Sequence, residues 1–279
     1  MINPNRIIEK NTDPYPYLII RNFFKQDFYH KLEKEFPKKN EFLKEKKYVG
    51  RMHYDTTFGL GLYEDILNTS ETYKKLHNYI YSEDFIKTFL ELFDKDIENE
   101  TINNFLNVDV KKLEIKKEPF EIGGKVFNKK NFKKKEDLFL FSRLDIGSGE
   151  AGYGIKTGGG GIHVDNPQRL ISILFYVGGF SKINGGEHRL WKVIDKKTKI
   201  VREIKPEPNL LIASLQNNIS YHDVNPIKEI SGTRNAFYIA VSCNSPIWKE
   251  VKLNDFNAKY NKNRCKLNFL YKIKKKLFL

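Results

Sequence analysis

A chain of 279 residues with 40% hydrophobic and 14% aromatic side chains carries enough apolar surface for one large domain or two small ones, which excludes a disordered protein. Two cysteines, Cys243 and Cys265, cannot build a disulfide framework or a paired Cys-x-x-Cys site, and neither a signal-peptide core nor an apolar run of about 18 residues occurs, so a cytoplasmic protein without a membrane span is expected. The net charge of +14 invites a nucleic-acid partner, but the lysines gather in loops and tail (Lys129, Lys130, Lys133 to Lys135, Lys272, Lys274 to Lys276) beside abundant Asn, Ile, Phe and Tyr, the mix of an A/T-rich genome, and that partner is disfavoured.

Residues 17 to 24, YLIIRNFF, read as a strand, and Gln26 to Pro37 as a helix with Phe28, Leu32 and Phe36 on one face. Val49 to Tyr63 holds Arg51, His53 and Asp55 beside a glycine run and reads as a loop. From Ser70, a capping residue, to Glu98 the side chains Tyr73, Leu76, Ile80, Phe85, Phe89 and Phe93 recur at helical spacing, which predicts two helices packed on a sheet. From Leu138 the pattern changes to short strands, LFLFSRLDI, RLISILFYV, HRLWKVI, NLLIASL and AFYIAVS, separated by Gly, Asn, Pro and Lys turns. Helices first and strands after imply an α+β chain with a mainly β core, an antiparallel sandwich or barrel buttressed by the N-terminal helices. We divide one domain into a supporting region to 137, a core over 138–245 and a basic tail over 246–279.

The chemistry sits in His163-Val164-Asp165, followed by His222 and Arg234. Alternation along a strand puts His163 and Asp165 on one face. By itself a His-x-Asp arises by chance in about a quarter to a third of such chains. Here GGGGIHVDN leaves a glycine loop and enters RLISILFYVGG, so the pair lies at a strand mouth, and His222 ends the strand that precedes it. NPIKEISG reads as a turn and TRNAFYIAVS as the next strand, which makes Arg234 the antiparallel neighbour of His222. Two imidazoles and a carboxylate can cover one face of an octahedral iron(II), and a guanidinium can hold a carboxylate bidentately.

Over residues 138 to 243 the sequence resembles the iron(II)/2-oxoglutarate-dependent dioxygenases, in particular the prolyl-4-hydroxylase-like group. The likeness rests on Arg143 before a Gly/Tyr loop, HVD, LFYVGG, the GGE turn at Gly185 to Glu187, His222 and Arg234, with PYPYLIIRNFF as the lead-in. The resemblance implies a double-stranded β-helix, or jelly roll. It implies Fe(2+) on His163, Asp165 and His222, Arg234 on the far carboxylate of 2-oxoglutarate, and O2 as oxidant, with succinate and CO2 formed as a C–H bond is hydroxylated. Tyr153 matches a position that contacts the cosubstrate, and His188 stands where relatives carry a small hydroxyl residue. Arg51, Asp55 and Arg143 are candidates to face a small-molecule or peptide substrate. Retention of Asp165 favours hydroxylation over halogenation. Two alternatives stand beside this reading: a cupin-like metal- or ligand-binding module, and a nucleic-acid demethylase of the same superfamily, which typically adds an arginine where this chain has Ala240.

Overall fold

The run RLISILFYV is apolar on both faces, so a strand built from it must be covered on both sides. In a computed structural model, which describes residues 1–42, 48–49, 51–55, 60–103, 105–117, 138–156, 162–194 and 197–249, that run is the centre of the molecule. The lysine clusters at 129–135 and 272–276, Cys265 and the glycines at 158–161 lie outside the described residues.

In chain order the elements are β1 (Ile7–Asn11), β2 (Tyr17–Arg21), α1 (Gln26–Lys34), β3 (Tyr48–Val49), β4 (Arg51–Tyr54), α2 (Leu60–Thr69) and α3 (Glu71–Ile80). They continue with α4 (Glu83–Leu92), α5 (Asp94–Ile102), β5 (Glu114–Ile115), β6 (Phe139–Gly149), β7 (Ile155–Lys156) and β8 (Arg169–Asn184). The last five are β9 (His188–Ile194), β10 (Lys197–Ile204), β11 (Leu210–Leu215), β12 (His222–Val224) and β13 (Glu229–Cys243). A large sheet runs β1-β2-β11-β8-β13-β6-β4, with β5 joined to β6, and a small sheet runs β10-β9-β12.

Strand period decides which side chain meets which layer. On one face of β8, Ile171, Ile173, Phe175 and Val177 join Tyr73, Leu76, Phe85 and Phe89 of the helices. On the other, Leu174 and Tyr176 meet Leu190 of β9 and Ile204 of β10, so the small sheet stands over the inner face of the large one. This curled, two-sheet arrangement is jelly-roll-like, as expected, and each such buried side chain contributes about 1.5–3 kcal/mol.

Several local expectations differ. Ser70 caps α3, its Oγ accepting from Tyr73 N at 3.0 Å, but Ser82 starts a new helix and Phe93 another, so Ser70 to Glu98 spans three helices where two were predicted. The supposed loop from Val49 to Tyr63 contains β4 and the start of α2, because Met52 and Tyr54 are buried against β6. The first helix ends at Lys34, short of Pro37, and the first predicted strand ends at Arg21. The unpredicted β10, KTKIVREI, is a sheet edge whose charged residues face solvent and so mask any apolar period.

Candidate metal centre

β12 has only three residues, and its far side is extended by a single antiparallel bridge to His163. His163 N donates to His222 O at 3.1 Å and His222 N to His163 O at 2.9 Å. Directly opposed residues present their side chains to the same face, and the two imidazole centroids are 4.6 Å apart. Thus His163 and His222 are cross-strand partners. The expected strand through His163 and Asp165 does not form: residues 164–166 have no regular structure, and Asp165 is aimed by contacts instead of by alternation. Arg169 Nη1 donates to Asp165 Oδ1 at 2.9 Å, and Ser172 Oγ makes a short hydrogen bond to Asp165 Oδ2.

One ligand atom from each of His163, Asp165 and His222 lies within 4.8 Å of the others, and His222 Nε2 is 3.8 Å from Asp165 Oδ2. His222 Nδ1 lies 2.9 Å from Ser220 O; a carbonyl only accepts, so Nδ1 carries the proton and Nε2 offers its lone pair to the centre. Burial pushes the Asp165 carboxyl up, but the Arg169 guanidinium, both histidines and the Ser172 hydroxyl outweigh it and hold the group well below the usual carboxylate range. The trio therefore offers two imidazole nitrogens and one anionic oxygen, a donor set that fits iron(II).

Arg234 is 1% exposed. It does not neighbour His222 in a sheet, as the supposed turn required: β13 starts at Glu229, inside that turn, and pairs with β6 and β8 of the large sheet, whereas β12 pairs with β9 of the small one. Both Arg234 and His222 instead approach His188 of β9. Arg234 Nη2 donates to Tyr238 OH at 2.8 Å, Nη1 approaches Gly186 O at 3.4 Å, and Nε has no partner. Its guanidinium carbon lies 4.5 Å from the Tyr153 ring centroid and 5.2 Å from that of Tyr176. Among the described residues no carboxylate pairs with it. Burial works against its charge, but the electron-rich tyrosines prevail and keep it ionised.

Glycines make room for this cage. A Cβ on Gly147 would stand 2.9 Å from the Tyr238 ring and one on Gly149 3.0 Å from the Tyr153 ring. His188 is buried, with its ring 5.5 Å from that of His222; burial, His222 and Arg234 push its pKa down to about 3, so the ring is neutral, and its Nδ1 has no partner. Tyr176 OH is likewise unpartnered.

The register also places Arg51, His53, Arg143 and Asp145 on the face shared by Arg234 and Tyr238. Arg143 Nη2 meets Asp55 Oδ2 at 2.6 Å and its Nε meets Asp145 Oδ1 at 3.2 Å, while the Arg51 guanidinium lies 5.4 Å from the Tyr238 ring centroid. Burial lifts the Asp145 carboxyl to about 6 despite Arg143. Arg169, Ser172, Tyr176, Asp145 and Tyr238 escaped the sequence reading. Ser172 had a signal, as the polar residue inside an apolar strand.

No family model matches the sequence, and no curated protein does. Among solved structures the chain is similar to a prolyl 4-hydroxylase from Phytophthora capsici (16% identity, 89% of this chain and 68% of that one, TM-score 0.49). It is also similar to a prolyl-4-hydroxylase from Pseudomonas putida (13% identity, 81% and 91%, TM-score 0.41). A third is a viral collagen prolyl hydroxylase from Paramecium Bursaria Chlorella virus-1, solved with 2OG (14% identity, 83% and 98%, TM-score 0.40). These likenesses are too distant to assign chemistry, which comes from the residues described above.

Proposed function

We propose that the chain is an iron(II)- and 2-oxoglutarate-dependent oxygenase that hydroxylates a C–H bond of a small molecule or peptide, with release of succinate and CO2. The observation that carries this reading is Arg234: a fully buried guanidinium without a carboxylate partner among the described residues, caged by tyrosines, and joined to the His163, Asp165 and His222 trio through His188, which both His222 and Arg234 approach. A buried charge left uncompensated costs several kcal/mol, so a protein keeps one where an anionic ligand completes it.

Bound iron would supply oxygen activation and the oxidising power for C–H cleavage. The residues do the rest. His163, Asp165 and His222 hold the metal, and Asp165 stays anionic because Arg169 and Ser172 stabilise its charge. Arg234 takes the far carboxylate of the cosubstrate, and the neutral His188 ring and the Tyr153 and Tyr176 rings line that end and exclude water. The family resemblance supports hydroxylation, because Asp165 keeps the carboxylate that related halogenases replace by a small residue. Arg51 and Arg143, which share a sheet face with Arg234, and Asp55, paired with Arg143, are the candidates to meet the substrate.

A cupin-like binding module would have no use for Arg234. A demethylase that needs a second arginine finds Ala240 instead. No helix among the described residues is long and apolar enough to cross a membrane. The test is anaerobic addition of iron(II) and 2-oxoglutarate, watching for a weak visible charge-transfer band. Its absence from intact protein, with Arg234→Ala indistinguishable, would sink the proposal. Substrate pools are then screened for a product heavier by one oxygen atom, since succinate alone also arises by uncoupled turnover.

A further inference from the structure

Away from the pocket, β12 and β9 are joined by side chains more strongly than their three-residue ladder requires. Asp223, next to His222, pairs with Arg189 of β9 and is 2% exposed, with Arg189 at 9%. Arg189 Nε and Nη2 donate to the two Asp223 carboxylate oxygens at 2.8 and 2.6 Å, and Trp191 Nε1 donates to Oδ1 at 2.9 Å. The third guanidinium nitrogen, Nη1, donates to Asn225 Oδ1 at 3.1 Å. Asn225 Nδ2 reaches Glu187 Oε2 at 2.7 Å, and Gly186 N donates to Asn225 O at 2.9 Å. Gly186 O is the carbonyl that faces Arg234 Nη1 at 3.4 Å.

One hydrogen-bonded chain therefore runs from the residue beside a candidate metal ligand to the carbonyl against the candidate carboxylate anchor. Stability alone does not explain it, because a buried ion pair is often matched or bettered by apolar residues of the same volume. What a bidentate pair adds is geometry: two parallel hydrogen bonds fix angle and register together. β12 needs that help, since three residues on one ladder and a single bridge to His163 leave its backbone weakly held.

We infer that Asp223, Arg189 and Asn225 are positioning residues, a clamp that holds His222 and the Gly186–Arg234 pair in one frame so that affinity for metal and for dicarboxylate depends on it. The inference rests on the proposed function above. Neither Asp223 nor Arg189 belongs to the ligand set, and both sit on the face of the small sheet opposite His188 and Leu190.

The test uses the full chain with Asp223→Asn, which keeps shape and removes charge, and Asn225→Ala. Iron(II) affinity is measured anaerobically by chelator competition, 2-oxoglutarate affinity by calorimetry on the metal-loaded protein, and stability by thermal unfolding without ligands. Asp223→Asn is expected to bind iron(II) about 10–100-fold more weakly, as supporting partners of a metal ligand do, and Asp223→Glu to recover part of that loss. Asn225→Ala is expected to weaken 2-oxoglutarate more than iron. If the wild type binds iron and both variants match it while only their unfolding temperatures fall, the clamp is structural and the inference is overturned, with the proposed function intact. If the wild type itself binds neither iron nor 2-oxoglutarate, both fall. Should Asp223→Asn fail to fold, Trp191→Phe, which deletes one hydrogen bond to the same carboxylate, decides by the same iron measurement.

Discussion

Replacing Arg234 by methionine separates the role of its charge from that of its volume. Without ligand, the substitution removes a 2.8 Å hydrogen bond to Tyr238, a 3.4 Å contact with Gly186 and two ring contacts. It also removes a buried charge whose desolvation costs several kcal/mol. These offset to within about 2 kcal/mol, or less than about 8 °C in Tm for domains of about 150–250 residues. With ligand the balance is one-sided. Two charge-assisted hydrogen bonds at about 1.5–3 kcal/mol each amount to about 3–6 kcal/mol, a hundred- to ten-thousandfold in Kd. The assay is thermal unfolding of metal-loaded protein with and without 2-oxoglutarate. At a concentration of about 100 times the wild-type Kd the wild type gains about 2.7 kcal/mol, a rise of roughly 5–10 °C, and Arg234→Met gains at most about 0.4 kcal/mol, under about 2 °C. A variant that keeps the full ligand-dependent rise would refute the assignment of the anchor, and a ligand-free collapse would show that the guanidinium is a structural element.

His163→Ala and His222→Ala are each expected to lose stoichiometric iron while remaining folded; a metal-to-protein ratio unchanged by His163→Ala would remove that residue from the ligand set. Asp145, lifted from an ordinary 3.8 to about 6, binds more protons folded than unfolded between those values, so its contribution makes the protein less stable as pH rises through that window. Asp145→Asn should therefore gain stability relative to wild type at pH 8, by at most about 3 kcal/mol, and gain none at pH 4; equal urea midpoints at both pH values would contradict the burial argument. Gly185 has φ +89° and a Cβ there would sit 2.1 Å from Pro226 O, so Gly185→Ala should cost more than about 2 kcal/mol in urea unfolding, and a shift within experimental error would show that the turn relaxes freely.

The parts legible in advance are those whose signal is local. Apolar runs of strand length mark β6, β8, β9, β11 and β13, and a serine before a periodic apolar stretch marks the start of α3. Helix breaks at Ser82 and Phe93 were hidden because hydrophobic spacing continues across them. Of the candidate site, His163, Asp165, His222 and Arg234 could be picked out by residue type and order, since such side chains are the ones able to hold a metal and a carboxylate. The route by which Arg234 reaches the cleft could not: a turn at 225–232 looks natural in sequence, yet the apolar face of β13 is best buried between β6 and β8, and that pairing places it in the other sheet.

By itself, then, the sequence determined which donors and which cation the chain owns, and that its second half is built of strands, because side-chain chemistry and strand period are written residue by residue. Only the tertiary structure decided that His163 and His222 pair across strands, that Arg169 and Ser172 aim Asp165, that tyrosines lying over Gly147 and Gly149 cage Arg234, and that Asp223 is gripped by Arg189. Each of those contacts joins strands or segments that come together only when the sheets form, and hydrogen bonds of about 3 Å leave no trace in a sequence until the chain has closed around them.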